Sequence, residues 1–92
     1  MPVVTVTGTL TCTSAEQADR VRTHLPEHIR LTRAEPGCLS FDVTPGADPM
    51  VWHVAEQFLD NAALEAHQTR TRASKWAGMT SDIARNFNVT EG

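Results

Sequence analysis

Ninety-two residues suffice for one domain, 1–92, but a core of that size is marginal on its own, so oligomerisation is an expected remedy. Eleven acidic residues against eight basic ones give a formal net charge of −3, with the two signs mixed along the chain. With no basic block and no aromatic–basic interleaving, nucleic acid is not an expected partner, and no apolar run approaches the roughly 20 residues a membrane span needs.

The first ten residues, "MPVVTVTGTL", carry neither a basic region nor an apolar leader core, which predicts a cytoplasmic protein. Residues Val3 to Cys12 are nearly all β-branched and alternate with period two. Val4, Val6, Leu10 and Cys12 share one face of the predicted strand, with Gly8 among them. Thr5, Thr7, Thr9 and Thr11 share the other. That threonine face carries no charge and suits either water or contact with another sheet. Gly8 predicts a bulge or a close approach at mid-strand.

Ser14 opens a helix. Ser-Ala-Glu-Gln reads as a capping box in which Ser14 and Gln17 satisfy each other's free amides. Ala18, Val21, Leu25 and Ile29 follow at helical spacing. Pro26 removes an amide donor, which predicts a kink or two abutting helices between Ser14 and Ala34. His24 and His28 lie four residues apart on this segment, where a solvated helix face is the expected setting. A metal would need a third ligand, and none is evident.

Pro36 ends the helix, because it disfavours helical geometry at Glu35. Gly37 is expected to turn the chain back with positive φ. Leu39, Phe41 and Val43 then line one face of a second strand. "PGADP", residues 45–49, is a dense turn signal, so residues 51–58 form a hairpin partner. Trp52, Val54, Glu56 and Phe58 share one face of it; Val51, His53, Ala55 and Gln57 share the other. Asp60 caps a helix through Gln68 that carries Ala63, Leu64 and His67. Thr71 is the expected start of another, with Trp76, Met79 and Ile83 on one face. "RNFNVTEG" ends the chain as a short strand.

The order βαββαβ predicts an α+β, ferredoxin-like sandwich of two helices on one side of four strands, with the third strand between the first and second. Cys12 and Cys38 then sit at opposite ends of the sheet, roughly 20 Å apart. A disulfide tolerates only about 7 Å between Cα atoms, so no intrachain bridge is expected.

"RAEPGCLSFDV", then "WHVAEQF", then "DNAALEAHQ" resembles the antibiotic biosynthesis monooxygenase domain family, which includes quinol monooxygenase-like members. The matching positions are Pro36, Gly37 and Cys38, then Glu56, Asp60, Ala63, Leu64 and His67. Where that family often has Trp after the strand-three Glu, this chain has Phe58. The resemblance implies a homodimer whose two sheets close an α/β barrel, with a pocket in each subunit between sheet and helices. His53 would then lie towards the dimer contact.

The expected catalytic residues are His67 as base and Glu56 as its orienter. Trp52, Phe41, Phe58, Leu64, Trp76 and Met79 are the candidates to line the substrate pocket, with Trp52 or Trp76 as an indole donor. No G-x-G-x-x-G or Walker motif appears, so no nucleotide cofactor is expected, and no metal. The implied activity is a cofactor-independent oxygenase acting on a small electron-rich aromatic, a hydroquinone or polyketide phenol, with O2. Two alternatives stand beside it. One is a non-catalytic dimer that binds a small ligand. The other is a haem-binding or haem-degrading relative, for which His67 would be the axial ligand.

Overall fold

A computed structural model describes residues 2–92. The elements follow as β1 (Val4–Thr11), α1 (Ala15–Arg33), β2 (Cys38–Pro45), β3 (Val51–Phe58), α2 (Asn61–Arg72), α3 (Lys75–Met79) and β4 (Ala84–Glu91). The strands form one antiparallel sheet in the order β2-β3-β1-β4, with the helices on one side of it. The expected ferredoxin-like βαββαβ sandwich is the observed one.

The register lays the helix-facing side chains out in rows. Phe41, Glu56, Val6 and Val89 form one row; Val43, Val54, Gly8 and Phe87 form the next; Trp52, Leu10 and Arg85 lie in a third. α1 covers the β2–β3 half of this grid with Ala18, Val21 and Leu25. Trp76 and Ile83 close the same cluster. A smaller cluster of Val4, Val6, Phe58 and Leu64 lies beneath α2. Glu56 interrupts the apolar grid where the two clusters meet, between Phe41 of one and Val6 of the other.

The helices leave the middle of β4 uncovered, so Phe87 and Val89 remain exposed although they point to the helical side. On the opposite face of the sheet, Thr7, Thr11, His53, Ala55, Gln57 and Asn88 are exposed, and Asp42 is the one charged strand residue of the face.

Several local expectations change on folding. α1 is continuous through Pro26: Pro26 and Arg22, whose carbonyl loses its partner, both lie on the exposed side, where water can serve that carbonyl. The Ser14 hydroxyl accepts from the Gln17 amide at 3.2 Å, but Gln17 Oε1 accepts from the Thr13 amide at 2.8 Å rather than from Ser14. Leu39 is 52 % exposed, because a bulge between Cys38 and Ser40 puts it out of phase with Phe41 and Val43. α2 runs on through Thr71 to Arg72, and Ser74 caps α3 by accepting from the Ala77 amide.

Two glycines act by making room. A β-carbon on Gly8 would lie 2.0 Å from the Asn86 carbonyl oxygen and 2.5 Å from Phe87 Cδ1, so Gly8 is the expected close approach, of β4 and the Phe87 side chain. Gly37 does not take the positive φ expected of it; its β-carbon would lie 2.3 Å from that of Ala63. Its smallness lets the Pro36–Gly37 turn press against α2. Cys12 and Cys38 are both free thiols.

Candidate functional site

α2 is held over the sheet by its cap, in which Asp60 accepts from the Ala63 amide at 2.8 Å, and by Leu64 packed on Val4, Val6 and Phe58. One turn beyond Leu64, that orientation drives His67 inward, where it is 7 % exposed. The imidazole stands 4.9 Å from the Phe58 ring and 5.9 Å from that of Phe41, centroid to centroid.

The residue that orients His67 is Glu35, not the expected Glu56. Glu35 Oε1 lies 2.8 Å from His67 Nδ1, and the other carboxylate oxygen accepts from Arg70 Nε. Arg70 in turn donates to the fully buried Thr32 hydroxyl at 2.9 Å. Glu35 reaches this position because Pro36 ends α1 and the Gly37–Ala63 contact presses the turn onto α2. Sequence reading used Glu35 only as the residue before a proline. Its chemical role had no local signal, since its partners are 32 and 35 residues away.

Glu56 faces the other ring nitrogen. Its Oε1 is 3.6 Å from His67 Nε2, beyond hydrogen-bond length, and Thr71 Oγ1 is 3.4 Å from the same nitrogen. Burial, helped by the charge of Glu35, pushes the Glu56 carboxyl up to about 7. Burial pulls His67 below its ordinary value, and the Glu35 hydrogen bond opposes it. At neutral pH the ring is therefore mostly uncharged. With a carboxylate on Nδ1, its proton lies there and its lone pair at Nε2. A substrate oxygen can sit within hydrogen-bond distance of both Nε2 and Glu56.

Two cavities meet at this pair. An inner one of about 80 Å³ runs under α3 between His28, Phe41, Val54, Trp76 and Arg85. An outer cleft of about 360 Å³ opens between α2 and β4, against Val6, Leu64, Phe87 and Val89. Glu56, His67, Thr71 and Phe87 border both. An apolar cavity of about 150 Å³ accommodates benzene, so the outer cleft has room for an aromatic ring and the inner one for no more than a substituent.

Of the candidate lining residues, Phe41 and Trp76 border the inner cavity and Leu64 the outer cleft. Trp52 and Phe58 are core residues that border neither, and Met79 is half-buried at the end of α3. The Trp52 indole N–H is buried without a partner, and because Trp52 lines neither cavity it offers no donor to them.

His28 corrects the solvated-face expectation. It is 5 % exposed and stacks flat on Trp76 at 4.8 Å, with Phe41 edge-on at 5.3 Å. Burial, with help from the positive neighbours Arg70 and Arg85, pulls it down to about 3, so it is neutral. Sequence reading missed it because helical periodicity places it beside Leu25, but polarity argued for water. Among the described residues no group of three His, Cys, Asp or Glu side chains could hold a metal, and no helix is long and apolar enough to cross a membrane.

A sequence profile of the antibiotic biosynthesis monooxygenase family matches residues 3–78. No curated protein matches the chain. Several solved structures share the fold. A conserved protein of unknown function from Bacteroides thetaiotaomicron superposes with a TM-score of 0.84 at 13 % identity, covering 99 % of this chain and 98 % of that one. A protein from Nitrosomonas europaea, provisionally named an antibiotic biosynthesis monooxygenase, gives 0.81 at 20 % identity over 99 % and 89 %. One from Deinococcus radiodurans, named in the same provisional way, gives 0.77 at 25 % identity over 97 % and 91 %. The profile runs from the strand bearing Val6 to the helix bearing Trp76 and stops short of β4, and the chain belongs to the antibiotic biosynthesis monooxygenase family.

Proposed function

We propose that this protein is a cofactor-independent monooxygenase acting on a small electron-rich aromatic such as a hydroquinone or polyketide phenol. The observation that carries the reading is His67: its Nδ1 is fixed by Glu35, and its Nε2 is turned towards Glu56 at the junction of two cavities. A base with a set tautomer in an apolar, partly closed pocket is what deprotonation of such a ring requires.

His67 Nε2 takes the proton of a ring hydroxyl. The phenolate donates an electron pair through an adjacent ring carbon to dioxygen, a C–O bond forms, and the proton returns to the peroxide. Loss of the C–H proton on that carbon breaks the O–O bond. One oxygen stays on carbon as a carbonyl and the other leaves as water. Glu56, titrating near neutrality, hydrogen-bonds the substrate oxygen and can move the proton between steps. Glu35 acts through His67 as a positioning residue.

The same reading takes residues 1–92 as one domain that works as a homodimer. A sheet face with one charged residue, on a chain too short for a large core, supports a second copy as its cover.

The test is aerobic incubation with a panel of hydroquinones and anthrones without added cofactor. Oxygen uptake is expected, falling about 100-fold or more in His67→Ala. No uptake across the panel, or uptake unchanged in His67→Ala, overturns the reading.

A further inference from the structure

The arginines divide into two sets. Arg20, Arg22, Arg30, Arg33 and Arg70 each pair with a carboxylate. The remaining two, Arg72 and Arg85, have no carboxylate within ion-pair distance among the described residues, and these two border the joined cavities: Arg72 the outer cleft, Arg85 the inner cavity.

Arg85 is tethered for a purpose its own contacts do not exhaust. Nη1 donates to the Thr80 carbonyl at 2.9 Å and the Ile83 carbonyl at 3.3 Å, and Nη2 donates to the Thr80 hydroxyl at 2.6 Å. Those three bonds leave Nε–H and a second Nη2–H, the side-edge donors that a carboxylate can take, without a partner among the described residues. Thr80 is itself fully buried and donates to the Trp76 carbonyl, so the cation is mounted on a rigid support.

A second polar group in the same cavity is unsatisfied. His28 is held flat by Trp76 and borders the cavity, and its Nδ1 has no hydrogen-bond partner. An unpaired buried polar atom is destabilising. Phe41, Val43, Val54 and Leu10 supply the apolar remainder.

From this juxtaposition we infer that the joined cavities take an aromatic acid, its ring in the outer cleft and a carboxylate substituent reaching the Arg85 side edge. The placement follows from the sheet grid. Arg85 lies two rows from Glu56, so its partner is a second functional group and not the oxygen handled by the acid–base pair. The inner volume suits a carboxylate and excludes a second ring. The nearest acid facing the cavity, Glu56, is pushed up to about 7 by burial, so it is only partly ionised at neutral pH and repels the carboxylate less than an ordinary glutamate would. The inference deepens the oxygenase reading by naming a substrate class, but it concerns binding alone.

The test is anaerobic calorimetric titration at neutral pH with 4-hydroxybenzoate, against neutral 4-hydroxybenzyl alcohol as the matched probe. The wild-type protein is expected to bind the acid about tenfold or more tightly than the alcohol, and Arg85→Met to abolish that preference. Equal affinities in the wild type, or a preference kept by a folded Arg85→Met, overturn the inference. Should Arg85→Met not fold, nitrogen-15 spectra of the wild type decide: the Arg85 Nε–H resonance shifts on adding the acid and not the alcohol, and an unmoved resonance overturns it. Acid preference without oxygen uptake on any substrate leaves this site standing and removes the oxygenase reading. Oxygen uptake on neutral hydroquinones without acid preference does the reverse.

Discussion

Glu35 and His67 meet at 2.8 Å although 32 residues separate them, and this contact joins the end of α1 to the middle of α2 across the site. One carboxylate thereby sets the imidazole tautomer, anchors Arg70 and adds its charge to the burial that pushes the Glu56 carboxyl up. The arrangement makes the turn at Pro36–Gly37 part of the site.

Glu35→Gln keeps the shape of the side chain but removes its charge and half its acceptor capacity. Oxygen uptake is expected to fall about 10- to 100-fold in kcat, with KM little changed, since His67 no longer holds its tautomer. Stability should fall by about 1–3 kcal/mol because Arg70 loses its carboxylate. Steady-state kinetics beside urea unfolding check both. A drop in stability without a change in kcat would make Glu35 merely structural.

Glu56 has a stability signature with a definite sign. Its folded pKa is about 7 against an ordinary 4.5, so the folded state binds the proton more tightly than the unfolded chain. The contribution is fully present below about pH 4.5 and is lost as pH rises through 7. In Glu56→Gln this dependence disappears, so the variant gains on the wild type by about 3 kcal/mol between pH 4 and pH 8. Urea unfolding across that range is the measurement, and a constant difference would show that the carboxyl is not desolvated.

His28 works in the opposite direction. Its folded pKa of about 3 lies below the ordinary 6.5, so its contribution is present above pH 6.5 and lost as pH falls towards 3. His28→Phe keeps the flat stack on Trp76 and removes the titration. The variant is expected to resist acid unfolding better than the wild type, with a midpoint at lower pH by circular dichroism.

Gly8→Ala places a methyl group against the Asn86 carbonyl, which is backbone and cannot swing away. A loss of about 1–3 kcal/mol is expected, with early opening of β4, readable as faster amide exchange at Asn86 and Asn88. Unchanged exchange there would mean that β4 accommodates the methyl by sliding.

Ala55→Arg plants a cation in the middle of the nearly uncharged sheet face. In the homodimer reading the variant sediments as a monomer and melts earlier, while a monomeric protein would tolerate the change within about 0.5 kcal/mol. Sedimentation of both proteins at the same concentration decides.

Much of the fold was legible from periodicity and punctuation. The alternation in Trp52, Val54, Glu56 and Phe58, the Asp60 cap and the Pro36 stop each act within a few residues, so the chain displays them locally. Leu39 escaped because a one-residue bulge changes phase without changing composition. His28 escaped because a stacking partner 48 residues away outweighed its polarity. Glu56 and His67 come within 3.6 Å of each other, but the hydrogen bond expected between them goes to Glu35 instead, because spacing shows who can share a face and not which atom meets which.

By itself the amino-acid order determined the strands, the helices, their sequence along one sheet and the inward placement of Glu56, since hydrophobic burial at period two and 3.6 leaves few other packings. Only the tertiary structure decided that Glu35 holds His67, that Arg85 stands without a carboxylate beside the inner cavity, and that Trp52 and Phe58 serve the core. Those outcomes depend on contacts between elements far apart in the chain, where distances of a few tenths of an ångström choose the partner and no local pattern records the choice.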